Sequence, residues 1–312
     1  MPRDEKTRER RYSNAVLRRL RWPVARRLGV HAWGDERSRL TGPGVEYADV
    51  REYQWGEDAR LIDWNLTARS DRPFVRESHP DRGLDVWLIV DTSRSLDWGT
   101  TYSLKRDVAG ELLAAATLLL SRHGNRVGAI LFDSELRRVF APRAGRTGRL
   151  GLLASMESDS ARPSGDGKRT DLARTLTRAG ALMGRASLVL VVSDFLVEGG
   201  WQRSMRALSL RHEVVAVRIS DPREGEIPDV GVVVLEDPET GAQLEVDTSS
   251  RSLRDRYRTA AAEQRRRLLA DFRRAGVSAL ELTTAEPMLP QLVTYLRRRQ
   301  DRRGRPHTEV PM

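Results

Sequence analysis

Short runs of unbroken apolar residues alternate along this chain with longer stretches in which apolar positions recur every three or four residues. Val86–Val90, Arg126–Phe132 (RVGAILF), Ala186–Val192, Glu213–Ile219 and Ala279–Leu282 are of the first kind, the pattern of strands covered on both faces. Ser103–His123 is of the second kind, with Leu104, Val108, Leu112, Ala115 and Leu119 on one stripe and Gly124 placed to stop the helix. The same spacing predicts helices over Arg149–Ser158, from Thr170 to about Met183, over Gly200–Arg211, and over the Arg-rich Ser252–Ala275, capped by Gly276. Leu136–Phe140 reads as a short edge strand, and Val232–Leu235 with Gln243–Val246 as an exposed hairpin around Asp237–Gly241. Strand–helix alternation of this kind predicts an α/β fold built on a doubly wound, mostly parallel sheet.

Outside that region the texture changes. Gly42, Pro43, Gly44 and Gly56 punctuate short runs in residues 41–84, predicting a small β-containing subdomain with strands near Val45–Tyr53 and Phe74–Glu77 and a turn at Gln54–Asp58. Residues 1–40 predict a basic, partly helical arm, with Leu17, Leu20, Val24 and Leu28 at helical spacing and Pro23 dividing it. The chain then divides into an arm (1–40), a subdomain (41–84), an α/β domain (85–285), and a C-terminal helix with a basic tail (286–312).

Charge follows the same division. The net charge is +10, but residues 1–40 hold 12 Lys/Arg against 5 Asp/Glu and residues 296–312 hold 6 against 2, so the middle is close to neutral. Basic ends suit an anionic membrane surface, a nucleic acid or an acidic protein. No RNA-binding aromatic signature or zinc-finger spacing accompanies them, which argues against nucleic acid. Of the 54 basic residues 51 are Arg, so a generally Arg-rich composition accounts for the excess as readily as a binding role. The absence of cysteine excludes disulfides, thiol catalysis and thiolate metal sites, and fits a reducing compartment. No apolar run approaches the roughly 18 residues a membrane span needs, and the N-terminus has no apolar signal region. A cytoplasmic protein is the expectation.

Candidate chemistry concentrates where the central strand ends, in Asp85–Ser95 (DVWLIVDTSRS). The apolar run gives way to oxygen donors spaced Asp91-x-Ser93-x-Ser95, at the strand end where open α/β sheets bind ligands. A hard divalent cation such as Mg²⁺ or Mn²⁺ takes about six oxygen ligands, more than one turn supplies. Thr170, after a Gly-rich loop, and Asp194, at the end of Ala186–Val192, should reach the same edge if their strands are parallel neighbours. Taken singly, Ser93 or Ser95 could equally cap the next helix, and Asp194 could form a turn. Asp97 and Asp171 read as outer or capping acids.

Two resemblances sharpen this. Tyr53-x-x-Gly56-Glu57-Asp58-x-Arg60-x-Ile62-Asp63-Trp64-x-x-x-Ala68-Arg69 resembles the signature of the bacterial "domain of unknown function 58" family, in which it precedes a von Willebrand factor A-like, Rossmann-like domain. Many relatives carry two membrane-spanning helices ahead of that signature; this chain has none and resembles the soluble branch. The set Asp91, Ser93, Ser95, Thr170 and Asp194 is similar to the metal-ion-dependent adhesion site of von Willebrand factor A domains. That resemblance implies direct coordination by Ser93, Ser95 and, in one state, Thr170. Asp91 and Asp194 would act largely through water, and a Glu or Asp from a partner protein would complete the shell. Association of the family with MoxR-type AAA+ ATPases implies an adaptor or co-chaperone that works with such an ATPase or its client.

Catalytic patterns fit less well. A haloacid-dehalogenase-type phosphatase needs a second acid where this chain has Ser93, and a serine hydrolase needs flanking glycines and a paired His that DTSRS lacks. Gly167-Lys168 resembles a phosphate loop only in part, since the required first Gly is Arg162. His31, His79, His123, His212 and His307 follow no motif, and His123 and His212 fall at helix ends where they would complement the dipole. The expectation is a non-enzymatic, metal-bridged protein binder. The rival is a protein that acts on a membrane or nucleic-acid surface through its basic ends.

Overall fold

The computed structural model describes residues 47–53, 58, 62, 64–68, 72–78, 83–121, 124–160, 169–197, 199–237 and 241–304. The helices expected in the arm, residues 54–57 of the expected turn, the loop at 161–168 and the end of the basic tail lie outside them. The described residues fall into two units, one ending at Gly83 and the other beginning at Leu84. In the first, β1 (Tyr47–Glu52) pairs antiparallel with β2 (Phe74–Ser78), and a single helical turn, α1 (Trp64–Thr67), lies between them in sequence. The Thr67 hydroxyl accepts the Phe74 N–H at 3.1 Å, which fixes that turn to the start of β2.

The second unit runs β3 (Asp85–Asp91), α2 (Lys105–Leu120), β4 (Arg126–Phe132), β5 (Leu136–Arg143), α3 (Gly145–Ser160), α4 (Leu172–Leu182), β6 (Ser187–Ser193) and α5 (Trp201–Arg211). It continues through β7 (Glu213–Ser220), β8 (Val232–Glu236), β9 (Gln243–Asp247), α6 (Arg251–Arg274), β10 (Ser278–Thr283) and α7 (Met288–Gly304). Six strands form one sheet in the order β10-β7-β6-β3-β4-β5, parallel except for β5 at the edge. This is the doubly wound, mostly parallel sheet expected from the strand–helix alternation. β8 and β9 pair as a separate hairpin.

The side-chain period of two sorts the central strand onto two cores. Val86, Leu88 and Val90 face the side covered by α2 and α7, where Val108, Leu112, Leu292 and Leu296 are buried. Trp87 and Ile89 face the side covered by α4, α5 and α6, with Leu176, Met205 and Phe272. β3 is buried along its whole length, as its unbroken apolar run requires.

One strand is longer than expected. The sequence pattern ends β5 at Phe140, yet it continues through Pro142 to Arg143, because an edge strand tolerates proline. The pairing with β4 shifts register near Gly128, where a Cβ would lie 2.5 Å from the Phe140 carbonyl oxygen, so only glycine allows the two backbones to approach. At the amino end of the sheet, Asp85 takes paired hydrogen bonds from Arg126 (2.7 and 2.8 Å) and Arg185 (2.8 and 2.8 Å). That ion cluster ties β3 to its two neighbours at the edge opposite the candidate site.

Candidate metal site

β3 and β6 are adjacent, and the chain winds away from them in opposite directions, so their carboxyl ends flank the switch-point crevice. Asp91 is the last residue of β3, and Asp194 is the first beyond β6. Asp91 is 2 % exposed; its Oδ1 accepts the Ser93 N–H at 2.9 Å and its Oδ2 the Ser193 hydroxyl at 2.7 Å. Ser93 and Ser95 are both buried, with their hydroxyl oxygens 3.0 Å apart. Ser93 stands before a 3₁₀ turn (Arg94–Asp97), yet its side chain makes no capping bond, so the capping role weighed for it is not realised.

The chain beside Thr170 is fixed to the end of β4 through the backbone. Its neighbour Asp171 donates its N–H at 3.2 Å to the carbonyl of Asp133, just beyond β4, while Thr92 donates its own at 2.7 Å to Phe132 at the end of the same strand. Thr170 is buried but does not open the helix as expected: α4 begins at Leu172, and Asp171 caps it by accepting the Arg174 N–H at 2.9 Å. A carboxylate cap outcompetes the threonine because it also offsets the helix dipole.

Asp194 does form a turn, its Oδ1 accepting the Leu196 N–H at 3.1 Å, and its Oδ2 holds the Lys105 ammonium at 2.7 Å. The turn runs through Phe195, whose φ of 57° is left-handed and unusual for a residue with a bulky side chain. The ring is locked against Phe272 (centroids 4.8 Å) and Trp201 (5.6 Å), so packing holds the strained backbone that aims Asp194 at the rim.

Three groups here escaped sequence reasoning. Ser193 links Asp91 to the Asp194 turn, since its hydroxyl also accepts the Phe195 N–H at 3.0 Å. Lys105 pairs with the part-buried Glu224 at 2.6 Å, the Lys105 side chain being 1 % exposed. The sequence pattern puts Leu104 at the head of the stripe on α2; the helix starts one residue later, and Lys105 takes the buried position three residues before Val108. A lysine in register with an apolar stripe was the available signal.

Electrostatics single out Asp91. Burial, and then the negative charge of Asp194, push its carboxyl up to about 7, against the hydrogen bonds from Ser193 and Ser93. Three other rim acids have cations: Asp97 has Arg106 at 2.9 Å, Asp133 has Arg137 at 3.4 Å, and Asp194 has Lys105. No ion pair reaches Asp91 among the described residues. Two buried hydroxyls beside an uncompensated carboxylate are an oxygen-only donor set that fits a hard divalent cation. Among the described residues no three His, Cys, Asp or Glu gather to hold a metal, so any site on this rim relies on hydroxyls.

His212 corrects the dipole assignment. It ends α5, but burial and then Arg211 push its imidazole down to about 4, leaving it neutral at pH 7 and unable to complement the dipole as a cation. His123 lies outside the described residues.

Residues 49–267 match the family model described as "Protein of unknown function DUF58". The chain belongs to the DUF58 family. This DUF58 protein is 38 % identical over 290 residues to uncharacterized proteins of Mycobacterium tuberculosis and Mycobacterium bovis, covering 93 % of this chain and 90 % of each relative. Among solved structures it is similar to BatB from Bacteroides thetaiotaomicron (13 % identity, TM-score 0.45, 70 % of this chain and 100 % of that one). It is similar also to the SpRpn10 VWA domain (7 % identity, TM-score 0.37, 68 % and 94 %). Likenesses so distant carry no functional argument. No helix among the described residues is long and apolar enough to cross a membrane.

Proposed function

We propose that this DUF58 protein is a metal-dependent, non-enzymatic protein-binding adaptor of the cytoplasm, working with a MoxR-type AAA+ ATPase or its client. Ser93, Ser95 and, in one state, Thr170 would hold Mg²⁺ or Mn²⁺ directly, with Asp91 and Asp194 acting largely through water. A cation there would supply the positive charge that draws a partner's Asp or Glu to the rim. The observation that carries this reading is the buried Ser93–Ser95 hydroxyl pair beside Asp91, a carboxylate with no cation of its own among the described residues. The non-enzymatic reading rests on the sequence pattern, since DTSRS lacks the flanking glycines and the paired His of a serine hydrolase. The link to an AAA+ ATPase rests on family association.

The test is affinity capture of the MoxR-type ATPase with wild type and with Ser93→Ala/Ser95→Ala, each in Mg²⁺ or EDTA. Capture by wild type in Mg²⁺ alone is expected. Equal capture under all four conditions would remove the metal from the mechanism.

A further inference from the structure

The chain holds 51 Arg and only three Lys, and one of those three, Lys105, is fully buried against a candidate metal ligand. Its ammonium bridges Asp194 Oδ2 (2.7 Å) and Glu224 Oε1 (2.6 Å). Charges alternate beyond it. Glu224 lies 3.9 Å from Arg218, Arg218 lies 3.4 Å from Glu281, and Glu281 takes two 2.8 Å bonds from Arg265 on α6. Three carboxylates and three cations cancel along this line. The rim is left with at most the single charge of Asp91, which a divalent cation exceeds.

We propose that Lys105 sets the terms of metal binding by neutralising Asp194. The cation is then held weakly until a partner's carboxylate adds the second negative charge. Metal and partner bind as a coupled pair, and the site does not fill stably with either alone. Lysine suits this task because a compact ammonium on a flexible stem can sit between two carboxylates, whereas a guanidinium presents a wide planar fork. The same contact favours a water-mediated role for Asp194, since Lys105 takes one lone pair of Oδ2 and the Leu196 N–H one of Oδ1. This inference rests on the metal-site reading above and adds to it a reason for dependence on the partner.

The experiment is a Mn²⁺ titration of the full chain, with and without acetate as the simplest carboxylate, on wild type, Lys105→Met, Lys105→Met/Glu224→Gln and Ser93→Ala/Ser95→Ala. Acetate is expected to tighten Mn²⁺ binding by wild type. Lys105→Met is expected to bind Mn²⁺ at least tenfold more tightly without acetate and to lose most of the acetate effect. If that variant does not fold, as judged by circular dichroism, Lys105→Met/Glu224→Gln decides on the same criterion, because it removes the ammonium together with one of its partners. A folded Lys105 variant with wild-type affinity and an unchanged acetate effect overturns the role of Lys105 and leaves the metal site standing. Failure of wild type to bind Mn²⁺ any better than Ser93→Ala/Ser95→Ala, with or without acetate, overturns both.

Discussion

At Ser93 and Ser95 two hydroxyls satisfy one another inside the protein, and this makes them informative to mutate. Removing Ser93 leaves Ser95 buried without that partner, a loss of about 1–3 kcal/mol, part of which is relieved when Ser95 is removed as well. Ser93→Ala is therefore expected to lower stability more than Ser93→Ala/Ser95→Ala does, read by urea unfolding without metal. A double variant that loses the sum of two single losses would mean that each serine is held by something other than its neighbour. His212 gives a second test at this scale. Its folded-state pKa lies below that of the unfolded chain, so the native protein binds fewer protons there. Stability from this group is full above roughly pH 6.5 and is lost as pH falls toward about 4. His212→Gln is expected to flatten that part of the stability curve; a curve of unchanged slope between those limits would show that His212 titrates normally.

Among the elements, the two ends of the central strand carry different loads. The amino end is braced by Asp85 between Arg126 and Arg185; burial pushes its carboxyl up, but the hydrogen bonds from the two arginines outweigh that and hold it below the usual range. Its contribution is accordingly present above an unfolded pKa of about 3.9 and is lost as pH falls through the lower folded value. Asp85→Asn is expected to reduce unfolding free energy at pH 7 by roughly 1–3 kcal/mol, and a change within error would show that the brace is dispensable. At the carboxyl end, Phe195 carries the strain that positions Asp194. Phe195→Ala removes the ring from its aromatic cluster at an expected cost of about 3–5 kcal/mol, and it should weaken any metal-induced rise in melting temperature beyond that loss. The strands and helices were legible because the apolar runs of β3 and β6 and the period of α4 and α5 are long and unambiguous. Asp91, Ser93, Ser95 and Asp194 were legible because they follow such runs directly. Lys105, Glu224 and Ser193 were not, because their contacts span 89, 119 and 102 residues and only the folded sheet edge joins them. Phe195 was hidden for a different reason: nothing in the sequence forces a left-handed phenylalanine, and three aromatic rings from separate elements do.

For the whole molecule, the question is which part of the chain meets a partner. The net charge gathers toward the two ends, while the rim at the sheet's carboxyl edge is small, buried and oxygen-rich. If the rim is the binding surface, a chain lacking residues 1–40 and 296–312 should keep Mg²⁺-dependent capture of the ATPase. Loss of capture with the folded unit intact would move the function to the basic ends. The central claim, that Ser93 and Ser95 are ligands, can be read without any partner. Crystals grown with Mn²⁺ and acetate, measured at the manganese absorption edge, should show an anomalous peak about 2.2 Å from both serine oxygens. Manganese bound elsewhere in the protein, or no peak at this rim, would contradict it.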